Sequence, residues 1–192
     1  MACSSKGAND RRINQYEKII TLDEITSQLL QLTSKKIDVN QFGTIPVGDF
    51  MTTVDLEQPH MWLEGHMHIA ETRFAYAINE LLKSGITIHQ LKEVVYEAGK
   101  QISNNTDDLE LAYSYFTFNY LDGMPCDTTV DAYMIDHTIK VEIVEDSHLP
   151  FWNKVNGDIN IYYMLLEEYA RGMLPNIQFK VFNNKFYTFT KK

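Results

Sequence analysis

The sequence predicts an α+β fold, with an N-terminal helical layer packed on a small, mostly antiparallel sheet drawn from the C-terminal half. Three observations predict it. Helical spacing with clear start and stop signals dominates the first half, above all between Pro59 and Gly85. Strand alternation is confined to the second half, at Ile139, Val141 and Ile143 and again at Ile177, Phe179 and Val181. The order is helices first, then strand, helix and hairpin, so the two kinds of element are segregated rather than alternating.

Along the chain, residues 1–14 are polar, carry Arg11 and Arg12, and read as a flexible lead; residues 15–192 read as a single globular domain. Thr21 and Glu24 have capping-box spacing before Ile25, Leu29, Leu30 and Leu32, which predicts a helix closing near Lys35 and Lys36. From Ile37 to Leu56 the mixture of Gly43, Pro46 and Gly48 with Val, Phe, Ile and Thr predicts short extended pieces, the better one at Phe50 to Leu56. Pro59 suits a first helical turn, where its missing N–H is not needed. Leu63, Met67, Ala70, Phe74, Ala77, Ile78 and Leu81 then recur at helical spacing until Gly85 stops the helix. Thr87 and Gln90 form a second capping-box spacing ahead of Leu91, Val94, Val95 and Ala98. The short turn between these helices predicts a helical hairpin around 59–102.

Leu109 to Leu121 fits either period. Its acidic opening turn favours helix, and its run of aromatics and Thr117 favours strand; helix is the better reading. Val130 to Val144 reads as strand. Asn156-Gly157 turns the chain, and Asp158 caps a helix through Ile159, Tyr162, Leu166 and Tyr169 that Gly172 and Pro175 stop. Asn183-Asn184 closes a terminal hairpin.

With 192 residues, 44% of them hydrophobic, the chain is long enough to bury one sizeable core. Its formal charge of -9 repels polyanions, so nucleic acid is not an expected partner. Two cysteines, Cys3 and Cys126, make no disulfide framework, and free thiols fit a reducing compartment. No apolar run has the length of a membrane span, so a cytoplasmic placement is expected. A processed lipoprotein-like start at Cys3, a small residue before Cys and serines after it, is the minor alternative.

Four residues on the Pro59 helix carry the strongest hint of chemistry. His60, Glu64, His68 and Glu71 follow one another at steps of four, four and three, which keeps them on one flank. Imidazole and carboxylate together are what a zinc or iron site uses. The competing reading is a solvated flank whose residues pair along the helix, and it is favoured because no neighbouring helix offers matching ligands. His66 adds a weak His-x-His pattern with His68, since residues two apart diverge on a helix. Cys126 lacks an adjacent base or cation and reads as a partly buried thiol rather than a nucleophile. Asp136-His137 and Asp146-Ser147-His148 read as turns, because consecutive residues cannot assemble a catalytic triad.

Phe151 and Trp152, stiffened by Pro150, are the best binding candidates, against the more ordinary role of anchoring a loop to the core. Tyr162, Tyr163 and Tyr169 raise the same choice. The expected function is a soluble binding or interaction protein with an aromatic-lined cleft for a small molecule or protein partner. The alternative is a small hydrolase, metal-assisted or acid/base, using the His/Glu face of the helix at 59–83 with a divalent metal as cofactor.

Overall fold

A computed structural model describes residues 5–192, apart from the side chains of residues 5, 6 and 8. Among them are seven α-helices and four strands in the α+β arrangement that the sequence predicts. The helices are α1 (Ser5–Leu30), α2 (Phe50–Thr53), α3 (Pro59–Lys83), α4 (Ile88–Gln101), α5 (Leu109–Asn119), α6 (Leu149–Lys154) and α7 (Ile159–Met173). The strands are β1 (Val130–Ile135), β2 (Thr138–Ile143), β3 (Ile177–Phe182) and β4 (Phe186–Lys191), paired antiparallel throughout in the order β1-β2-β4-β3.

Two helices begin as their sequences dictate. Pro59 sits in the first turn of α3, and Thr87 and Gln90 complete both halves of the capping box of α4. Helix α5 is opened by the Asp108 side chain, which accepts from Leu111 N–H, so the helical reading of the ambiguous segment holds. Asp136 and His137, and again Asn183 and Asn184, all take positive φ. At Asp136-His137 the left-handed pair forms a two-residue turn whose twist suits a hairpin, while Asn183, Asn184 and Lys185 together link Phe182 to its partner Phe186. The Asp136-His137 turn therefore divides the Val130 to Val144 stretch into two strands.

Three expectations are corrected. Helix α1 is already helical at Ser5 and runs through Thr21 and Glu24, so that spacing lies inside a helix instead of opening one. Gln15, Tyr16 and Ile19 on it are buried. The segment after it contains a 3-10 turn at Val39–Phe42 and helix α2, each opened by an aspartate cap, where extended pieces were expected. Gly172 lies within α7, one residue before its last, rather than beyond it. Cys3 lies outside the described residues.

The helical pair α3 and α4 stands where the sequence puts it, but each takes its main helical partner from elsewhere: α3 packs on α1, and α4 on α7. The larger core joins α3, α4, α5 and α7 to the sheet through Phe74, Ile78, Leu91, Phe116, Leu165, Val141 and Phe189. A second, smaller cluster gathers Tyr16, Ile19, Phe50, Leu63, Met67, Leu121 and Met124 between α1, α2 and the first half of α3.

Candidate functional site

Helix α3 changes character halfway along. Its first half shows an ordinary apolar stripe, whereas Ala70 to Ala75 are buried on every side. That stretch includes Glu71, Thr72 and Arg73, so three polar side chains lie where burial is costly unless they find partners. Thr72 donates to the carbonyl of His68. Arg73 pairs with Asp23 of α1 at 2.8 Å and donates to Asn40 Oδ1 and Gly43 O. Glu71 has one partner for two oxygens: Oε1 lies 3.1 Å from His148 Nδ1, and Oε2 is buried with none.

His148 reaches Glu71 because the loop before α6 is held in place. Asp146 Oδ1 accepts from the backbone N–H of both His148 and Leu149. Ser147 Oγ donates to Asp122 Oδ1 at 2.6 Å, and Thr129 Oγ1 donates to Asp122 Oδ2. The imidazole stacks on Tyr162, with ring centres 4.1 Å apart. Its Nε2 is 2.8 Å from the hydroxyls of both Tyr120 and Tyr162, which are themselves 2.7 Å apart. A Glu71 carboxylate accepting from Nδ1–H makes Nε2 the acceptor in the neutral ring, and two phenols then share that lone pair and each other's.

Electrostatics bind the cluster together. Burial opposes charge on His148, but the Glu71 carboxylate, helped by Asp122 and Asp146, more than offsets this and raises its basicity above the usual imidazole range. Burial, reinforced by the neighbouring phenol and carboxylates, pushes the Tyr120 and Tyr162 hydroxyls far above the ordinary phenol range, so both remain protonated donors. On one side of the cluster is a pocket of about 10 Å³ lined by Asp122, Asp146, Ser147, His148 and Tyr163. It has room for about one water.

On the other side is an apolar cleft of about 60 Å³ between α1, α3, α4 and α7. That is space for about four waters. Its walls include Ile25, Phe74, Val95, Leu165 and Leu166, with the aromatic rings of Tyr120, Tyr162 and Tyr169. Half-buried Lys18, Thr21, Leu22 and Asn119 mark its open side. Glu71 lines it too, and so does Tyr169, whose buried hydroxyl has no partner. Lys18 is the one cation among the described lining residues, and burial lowers its ammonium to about 8.

The residues singled out from the sequence are dispersed. Of the helical quartet, His60 and His68 are exposed and Glu64 is half-buried, while Glu71 turns into the interior. Among the described residues, no group of three or more His, Cys, Asp and Glu side chains could hold a metal ion. His68 meets the ring of Phe151 at 5.2 Å on the surface. Trp152 is 1% exposed, packed in the larger core against Tyr162, and it does not line the cleft. Its neighbour Phe151 is half-buried.

Cys126 is exposed, not partly buried, and shares a separate surface cleft of about 440 Å³ with His60, Arg11 and Arg12. His148, Tyr120 and Asp122 carried no functional signal in the sequence, where Asp146-Ser147-His148 looked like a turn. The one hint was an acidic residue, Glu71, flanked by Ala70 and Phe74 on a strongly apolar helix. No protein-family model, curated protein or solved structure matches the chain.

Proposed function

We propose that the chain binds a small, mostly apolar molecule carrying a hydrogen-bonding group, in the cleft between α1, α3, α4 and α7. The observation that carries this reading is that two buried polar atoms without partners, Glu71 Oε2 and Tyr169 Oη, belong to residues lining that one cavity. Leaving a buried polar group unpaired costs about 1–3 kcal/mol. Two such groups in one apolar cleft are half of an interaction that a ligand completes. Aromatic and branched aliphatic walls supply the non-directional part of the affinity, and the few polar groups orient the ligand. The hydrolase alternative on the His/Glu face of the helix at 59–83 draws less support, because His60 and His68 are exposed and Glu71 alone turns into the interior.

Titration of the full chain with toluene and with benzyl alcohol, followed by NMR, tests this reading. The two probes share a ring and differ in one hydroxyl. Benzyl alcohol is expected to bind at least about tenfold more tightly, since a hydrogen bond to a charged acceptor contributes about 1.5–3 kcal/mol. Shifts should concentrate at Ile25, Phe74, Leu165 and Tyr169, and Ile25→Phe, which fills the cleft, should abolish them. Equal affinities, or shifts scattered away from the cleft, would contradict the reading.

A further inference from the structure

Hydrogen bonding to Glu71 and Tyr169 leaves one group in the cleft without a task. Lys18 projects from α1 and lines the same cavity as Glu71, Tyr120, Tyr162 and Tyr169. Its Nζ is held by one backbone oxygen, donating to Thr117 O at 2.7 Å. Among the described residues no carboxylate comes within ion-pair distance of it, whereas Lys83, Lys92, Lys100 and Lys140 each have one. Burial disfavours its charged form, with Asp122 partly opposing, so an appreciable share of the amine is neutral near pH 8. A neutral primary amine in an apolar cleft is a nucleophile toward carbonyl carbon. Glu71, whose Oε2 has no partner, lines the same cleft, and Asp122 is the carboxylate whose charge reaches Lys18.

We propose that the ligand is an apolar aldehyde, held reversibly as an imine on Lys18 Nζ. This rests on the binding reading above and names its ligand class. In the first step the amine lone pair forms a C–N bond to the carbonyl carbon, and the carbonyl oxygen takes up a proton as the nitrogen loses one. In the second, the C–O bond breaks and the oxygen leaves as water with a second proton from nitrogen, giving C=N. Water is the only by-product, and no oxidant or reductant takes part. A proton from solvent then makes the iminium, and hydrolysis runs the same steps backwards to release the aldehyde. Glu71 Oε2 and Tyr169 Oη are the cleft groups able to hold the transient hydroxyl.

The test mixes the full chain with benzaldehyde and cyanoborohydride, which fixes an imine as a stable secondary amine, and maps the adduct by mass spectrometry. Among the lysines, one adduct is expected, at Lys18. It should form at least about tenfold faster near neutral pH than at exposed Lys35 or Lys83. Excess benzyl alcohol should suppress it. Lys18→Arg keeps a donor for Thr117 O, forms no stable imine and should abolish the adduct, with circular dichroism confirming the fold. Adducts spread over surface lysines with Lys18 unmodified, while benzyl alcohol still fills the cleft, would overturn the imine and leave the binding reading intact. If neither benzyl alcohol nor benzaldehyde occupies the cleft, both fall together.

Discussion

Glu71 shares a helical flank with His60, Glu64 and His68, yet it alone turns into the interior. The difference is depth along the helix rather than angle around it. The first turns of α3 are covered on one side, by α1 and the loop before α2, while its middle is enclosed by α6 and the His148 loop as well. Burial of His148 opposes its charge, but the Glu71, Asp122 and Asp146 carboxylates around it outweigh this and give it a folded-state basicity above that of the unfolded chain. The consequence for stability therefore has a definite sign. A base stabilised in its charged form favours folding fully below its unfolded pKa of about 6.5. That contribution is lost as pH rises through the higher folded value. Lys18 acts in the opposite sense, since its folded value of about 8 lies below 10.5, so stability rises with pH between those limits. Urea midpoints for the parent and for His148→Gln, compared from pH 6 upward, separate the two. The parent's advantage over the variant should shrink as pH climbs past about 6.5. An advantage that is flat or grows with pH would show that His148 is buried as the neutral ring.

At the scale of elements, the closest approach is between α4 and α7. A Cβ added at Gly99 would collide with the carbonyl oxygen of Tyr169, and one at Gly172 with that of Tyr96. Both obstacles are backbone, which cannot swing aside as a side chain does. Tyr169 is thereby set at the cleft by a glycine contact one turn of helix away. Gly172→Ala is expected to destabilise the fold by about 1–3 kcal/mol through forced separation of the helices, read as a lower urea midpoint. An unchanged midpoint would mean that the crossing is loose. The sequence showed a glycine near a helix end and suggested a stop, because local pattern cannot register a partner helix seventy residues away. The same reasoning separates what was legible from what was not. The start and apolar stripe of α3, the capping box of α4 and the terminal hairpin each rest on neighbours in sequence, and each stands in the structure. The Glu71–His148–Tyr120–Tyr162 cluster joins side chains separated by up to 91 positions, and its chemistry comes from tertiary enclosure alone. Trp152 shows the limit from the other direction, since an aromatic residue beside a turn reads alike whether it is a contact point or a core anchor.

Over the whole molecule, the cleft lies where the two apolar clusters meet. Its walls belong mostly to the larger core, while Leu121 comes from the smaller one and Leu22 packs against both. A boundary between separately packed clusters is where space remains, and α1 spans it, carrying Lys18 and Ile25 to the cleft and Tyr16 to the smaller cluster. On the proposed reading, Glu71 Oε2 and Tyr169 Oη, buried and without partners, await a ligand's polar group. A crystal structure of the chain with benzyl alcohol tests it most directly. The account predicts the ring among Ile25, Phe74, Leu165 and Leu166, with the hydroxyl donating to Glu71 Oε2 or bonded to Tyr169 Oη. A cleft left empty or holding only water, or a hydroxyl turned out to solvent past Lys18, would contradict it.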